Sequence, residues 1–234
     1  MKAVSADTMR ALDARTMDEG GVPGSVLMDR AGAGVADIVM DLAEASGRPL
    51  APILLAAGKG NNGGDIFAAA RWLADAGYRP DVLLAGSRED LQGAAEEHFQ
   101  RMTEAGIACR ERPEVEDWKG FEEEGELPCV LVDGLLGTGA RGPARGAAAA
   151  AIEWLNLLAD AARIVSVDIP SGLDADTGDA PGAAVRADVT VTMALPKAGL
   201  LQPQALDFTG RLELMDIGVP DLFVEEAKGV GDLE

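Results

Sequence analysis

Two glycine-rich loops and a few oxygen-bearing side chains carry the chemistry this sequence offers. The first loop, GKGNNGGD from Gly58 to Asp65, lies behind the apolar run ILLAA and ahead of an alanine-rich segment. Gly58-x-Gly60-x-x-Gly63 satisfies the dinucleotide fingerprint, whose glycines let backbone N–H groups approach a pyrophosphate at a helix N-terminus. Asp65 counts against that reading, because it adds negative charge in the first helical turn beside the phosphates. The next apolar run ends LLAGSRED, with no acid directly behind it to hold a ribose. A plain tight turn, with Asp65 as a favourable charge at a helix start, stays open. The second loop, GTGARG from Gly137 to Gly142, carries Arg141, with Arg145 nearby. It offers N–H groups and positive charge together, and reads as a phosphate cradle; the alternative is a flexible surface turn.

Asn62 supplies an amide oxygen, Asp133 a carboxylate and Ser171 a hydroxyl. These hard donors suit a hard cation and not zinc or copper, although each alone is also a common cap or turn residue. Asp168, in VDIPSGLDADTG, ends an apolar run and precedes a turn stiffened by Pro170 and Gly172. A partly desolvated carboxylate at such a point is a general acid/base candidate, or a structural acceptor for the turn. Asp174 and Asp176 read as more exposed turn residues. His98 is expected on a helix, at the surface or half-buried. No second His or Cys lies at ligand spacing, so a zinc site and a Ser-His-Asp triad are disfavoured. Cys109 and Cys129 make no disulfide framework.

The elements that must position these groups follow from periodicity. Met9, Leu12 and Thr16 share one helical face, and Leu27 through Leu42 recur at helical spacing, which predicts two N-terminal helices. Gly32 and Gly34 inside the second imply close helix packing, or a ligand or subunit approaching the backbone. Apolar runs recur at 52–57, 81–86, 128–137, 163–172, 187–194 and 211–218, with helix-length segments at 64–77, 88–105 and 144–161. This predicts an α/β, Rossmann-like, doubly wound and mostly parallel sheet with helices on both faces, the last two strands forming a mixed edge. One domain over 1–234 is expected, with 111–127 a charged surface excursion. Forty acidic against twenty basic residues give a net charge of −20, which disfavours nucleic acid and anionic membranes as partners. The absence of a hydrophobic signal core points to the cytoplasm.

The motifs VLMDRAG, GKGNNGGD with AAAR, VDGLLGTG, VDIPSGLDADTG, VTMALPKAGLL and GRLELMDIGVP, in this order, resemble the NAD(P)H-hydrate epimerase family, the YjeF N-terminal domain. The resemblance implies a dinucleotide substrate, NADHX or NADPHX, hydrated at C6 of the nicotinamide ring, whose R and S epimers are interconverted. An S-specific, ADP- or ATP-dependent dehydratase, fused or separate, would use the product. It also implies potassium, one ion per subunit, on Asn62, Asp133 and Ser171. Substrate contacts would come from Asn61, Asn62, Gly63, Gly64, Asp65, Gly137, Thr138, Gly139, Ala140, Arg141, Gly142, Pro143 and Asp168. A homodimer is the expected assembly. The family usually has GGDG where this chain has Gly64-Asp65-Ile66, so Ile66 would either narrow the pocket or pack on the sheet. C6 is a hemiaminal carbon, and inverting it needs proton exchange but no electron transfer; Asp168, then Asp65, are the candidates. A non-catalytic nucleotide-binding or protein-interaction module, and an NAD-dependent oxidoreductase, are the alternatives.

Overall fold

The structure is a computed structural model that describes residues 2–119 and 126–230. Seven strands form one sheet in the order β3-β2-β1-β4-β5-β6-β7. They are β1 (Ile53–Ala57), β2 (Pro80–Leu84), β3 (Cys109–Glu111), β4 (Val130–Gly134), β5 (Arg163–Val167), β6 (Val189–Met193) and β7 (Arg211–Met215). Every pair is parallel, including β6–β7, so the expected mixed edge is not found. The crossover from β6 to β7 runs through two 3-10 turns (198–201 and 203–205) and a four-residue helix, not through a long periodic helix. β3 was not expected, being three residues long and largely polar.

Two helices, α1 (Ala6–Asp18) and α2 (Gly24–Ala45), precede the sheet. α3 (Asn61–Asp75) and α4 (Gly93–Glu104) follow β1 and β2, α5 (Gly146–Leu157) follows β4, and α6 (Leu206–Thr209) and α7 (Asp221–Glu226) flank β7. Side-chain alternation splits the strands between two cores. Ile53, Leu55, Val82, Val130, Val132 and Val165 face α2, α3 and α4. Leu54, Leu83, Leu131 and Ile164 face α5 and the tryptophans Trp118 and Trp154. The charged excursion at 111–127 therefore carries a buried anchor in Trp118; its residues 120–125 lie outside the described residues.

The glycines of α2 serve packing. A Cβ on Gly32 would lie 2.4 Å from the Ala68 Cβ, and one on Gly34 would meet the Met215 side chain. The strand order reverses between β1 and β4, where open parallel sheets form a crevice at their carboxyl ends. Among the described residues no helix is long and apolar enough to cross a membrane.

Candidate functional site

Between β1 and β4 the chain cannot admit side chains. The Gly58 N–H bonds to the Gly134 carbonyl at 3.0 Å. A Cβ on Gly58 would fall 1.8 Å from the Leu135 carbonyl oxygen, and one on Gly63 would fall 1.8 Å from the Gly58 oxygen. Only Gly60 of the fingerprint has open space in front of it. α3 starts at Asn61, three residues earlier than expected, and no side chain caps it, so its first N–H groups remain available.

Above this switch point lies a cavity of about 1080 Å³. Asn61, Asn62, Asp65, Gly137, Thr138, Gly139, Ala140 and Asp168 line it, together with Asp13, Arg10, Lys59 and Lys197. Gly63 and Gly64 are instead buried in packing, and Arg141, Gly142 and Pro143 stand beyond the wall. Arg141 donates to the carbonyls of Thr138 and Ala140, so it braces the loop from behind. Ile66 is fully buried against Gly134 and the core, which is the packing role and not the narrowing one.

Asp168 follows β5 directly and has φ 64°. The Ile169 N–H bonds back to the Val167 carbonyl at 2.7 Å, so Asp168 is the centre of a γ-turn in its strained, positive-φ form. Its N–H is held by the Val191 carbonyl at 2.7 Å. The carboxylate pairs with the ammonium of Lys197. Lys197 is only 1% exposed and also donates to Thr192 Oγ1 at 3.1 Å and the Met193 carbonyl at 3.0 Å. Asp168 is thus presented at a fixed point as an ion-paired carboxylate.

The other two cavity carboxyls differ. Neither Asp13 nor Asp65 accepts a hydrogen bond from a protein group among the described residues. Burial, opposed by Lys197 and reinforced by Asp168, pushes Asp13 up to about 6. Asp65 is held well above the carboxylate range, first by burial and then by repulsion from Asp168 and Asp13. Asp65 is half-buried by exposure, because its carboxyl opens onto the cavity, yet protein surrounds it on its other sides.

Asn62, Asp133 and Ser171 are brought together beneath the cavity. Asn62 Nδ2 donates to the Leu136 and Val167 carbonyls at 2.9 and 3.0 Å, and Ser171 Oγ lies 3.2 Å from the same Leu136 oxygen. Asp133 is fully buried and accepts from Ser171 Oγ at 2.5 Å, Ser171 N at 2.9 Å, Ser166 Oγ at 2.8 Å and Leu135 N at 3.2 Å. Burial raises its pKa against the lowering effect of those bonds. Asp133, Ser171 and the Leu136 and Val167 carbonyls bring together hard oxygens of the kind a hard cation takes, whereas Asn62 turns its amide nitrogen, not the expected oxygen, toward those carbonyls. No group of three or more His, Cys, Asp and Glu residues suited to a metal occurs among the described residues.

His98 departs from expectation. It lies on α4 but is fully buried, its Nε2 2.8 Å from the Ser25 carbonyl and its Nδ1 without a partner. Asp174 and Asp176 are partly buried, and Asp174 accepts from the N–H groups of Asp176 and Thr177 as a turn residue. Lys197 and Asp13 were not expected at the site. Lys197 stands at the exit of β6, four residues past Met193, where the same rule that selected Asp65, Asp133 and Asp168 applies. Asp13 sits one turn from Met9 and from Met17, a charge set in an apolar stripe.

Residues 24–199 match the profile of the family described as YjeF-related protein N-terminus. The chain is 38% identical over 219 residues to a protein of Rhodopirellula baltica named NAD(P)H-hydrate epimerase, covering 93% of this chain and 84% of that one. It is 37% identical over 223 residues to a protein of the same name from Lentilactobacillus buchneri, covering 93% and 95%. A bifunctional NAD(P)H-hydrate repair enzyme of Thermofilum pendens matches at 37% over 228 residues, which is 97% of this chain but 42% of that protein. The crystal structure of yeast ynu0 shares the fold, with a TM-score of 0.81 at 24% identity over 100% of this chain and 97% of that one.

Proposed function

The chain belongs to the family of YjeF-related protein N-termini, and from that premise we propose that it epimerises hydrated NADH and NADPH, interconverting the R and S forms at C6 of the nicotinamide ring. The observation that carries the reading is one cavity that holds an ion-paired carboxylate at Asp168 together with two carboxyls, Asp65 and Asp13, that no protein group among the described residues hydrogen-bonds and whose pKa burial raises. An inversion at a hemiaminal carbon needs a group that takes a proton and one that gives it, and nothing that moves electrons. The Gly137–Ala140 loop, which lines the same cavity, suits the dinucleotide's phosphates, and the start of α3, with Asn62 and Asp65, suits its nicotinamide end.

The buried donors around Asn62, Asp133 and Ser171 support potassium as the resident ion. There it would supply positive charge beside an anionic substrate on a protein that carries −20. Differential scanning fluorimetry at equal ionic strength tests this: potassium should raise Tm above its value in lithium, and Asp133→Asn should abolish the difference. The reading carries with it a cytoplasmic homodimer, for light scattering and fractionation to check, and a dehydratase as consumer of the S form.

The deciding experiment is a coupled assay. Purified R epimer, an S-specific dehydratase and this protein should return NAD(P)H faster than the dehydratase alone. Binding of the hydrate without faster return would favour a non-catalytic module.

A further inference from the structure

We propose that Asp13, on α1, is a catalytic residue that exchanges protons on the face of the nicotinamide ring turned away from Asp168. This rests on the epimerase reading above. It concerns a part of the chain ahead of the family match, which begins at residue 24.

The argument starts from the reaction. A protonated carboxyl gives its proton to the C6 hydroxyl; the C6–O bond breaks, its electron pair leaving with water, and the N1 lone pair forms the C6=N1 iminium. A water then attacks C6 from the opposite face and gives its proton to an ionised carboxylate there. One proton has left the first group and one has entered the second, so the count balances, and the reverse direction exchanges the roles. Inversion therefore needs a proton-transferring group on each face, and one wall of a cavity serves only one.

The carboxyls come from separate elements. Asp65 and Asp168 rise from the sheet side, on α3 and at the exit of β5. Asp13 comes from α1, a separate helix that packs on α7. That helix is fastened to the cavity rim at three points. Val4 pairs with Lys197 in a parallel bridge, the Ala6 N–H donates to Asp176 at 2.7 Å, and Arg10 donates to the Thr138 carbonyl at 3.3 Å. So held, Asp13 lines the cavity without any protein hydrogen bond to occupy its carboxyl. The charged groups facing the same space are Arg10 from α1, Asp65 from α3, Glu97 from α4, and Lys59, Asp168 and Lys197 from loops. Their balance and burial leave Asp13 at about 6, where both protonation states are within reach near neutrality.

The test uses the whole chain in the coupled assay, in water enriched in ¹⁸O, with the uncatalysed epimerisation subtracted. Asp13→Asn should lower kcat at least about a hundredfold while KM moves less than about threefold. Asp13→Glu should restore at least about a tenth of the rate. In a parallel reaction without the dehydratase, each inversion of R to S should place one solvent oxygen at C6 of the isolated S epimer. A kcat within about threefold of wild type in a folded Asp13→Asn protein overturns the proposal, as does inversion without label. Should Asp13→Asn fail to fold, Asp13→Glu decides alone, and folded inactive Asp13→Glu that still binds substrate overturns the assignment. If the wild-type chain itself adds nothing to the uncatalysed rate, the epimerase reading falls instead.

Discussion

Asp168 and Lys197 form a largely buried ion pair, and substitution of Asp168 should separate loss of chemistry from loss of binding. Asp168→Asn keeps the shape and suits positive φ, since asparagine tolerates that region. Epimerisation should fall at least about a hundredfold, with dinucleotide binding changed far less. If Asp168→Asn turns over normally while Asp65→Asn does not, the roles of the two carboxyls are exchanged. Asp65 also makes a statement about stability. Its folded pKa is raised above the ordinary 3.8, so its favourable contribution is complete only below that value and is lost as pH rises through the raised one. As pH rises above 3.8 the unfolded chain ionises the group while the folded site resists ionisation, so Asp65 becomes a burden. Asp65→Asn should therefore raise Tm at pH 8 by at least about 3 °C, and the gain should shrink as the pH falls toward 4. Thermal melts across that range would show it; a gain that grows on acidification would refute the sign.

At the scale of elements, Ile66 and the fingerprint glycines show how a site-like motif can be mostly scaffold. Ile66 is fully buried and lies outside the cavity lining. Ile66→Gly should cost about 3–5 kcal/mol, from a lost buried side chain and a lower helix propensity, while kcat per folded molecule stays near wild type. Chemical denaturation beside the coupled assay measures both. The strand exits were legible in the sequence: continuous apolar runs gave the parallel sheet, and the residues behind them gave Asp65, Asp133, Asp168 and Ser171. Three things were not. β3 is too short and polar to carry a period. The parallel β6–β7 crossover contains no helix long enough to announce itself. Asp13 is invisible to a rule that ranks helix faces by apolar content, because its reason for facing inward lies in a cavity built by residues some 50 to 180 positions later. His98 misled in the opposite sense, since a single buried bond to the Ser25 carbonyl offsets only one of its two nitrogens.

Taken whole, the molecule is an acidic body that must capture an anionic ligand through a few local cations, chiefly Arg10 and Lys59 at the cavity. Long-range repulsion should slow encounter, and salt should relieve it. Raising ionic strength from about 0.02 to 0.2 M with a salt held constant in potassium should raise kcat/KM by roughly twofold or more. A fall would mean that local cations outweigh the net charge. The two ends of the described chain also meet beside this site. Lys2 donates to the carbonyls of Val224 and Glu225 at 2.9 Å, and the Val230 N–H bonds to the Ala3 carbonyl at 2.8 Å. The next residue, Val4, grips the Lys197 segment through the Val4 N–H to Pro196 and the Ala198 N–H to Val4. Val230 is thus only two hydrogen-bonded steps from the lysine that holds Asp168, so the outermost backbone of the described chain and the most deeply set cation of the cavity share one short line of bonds.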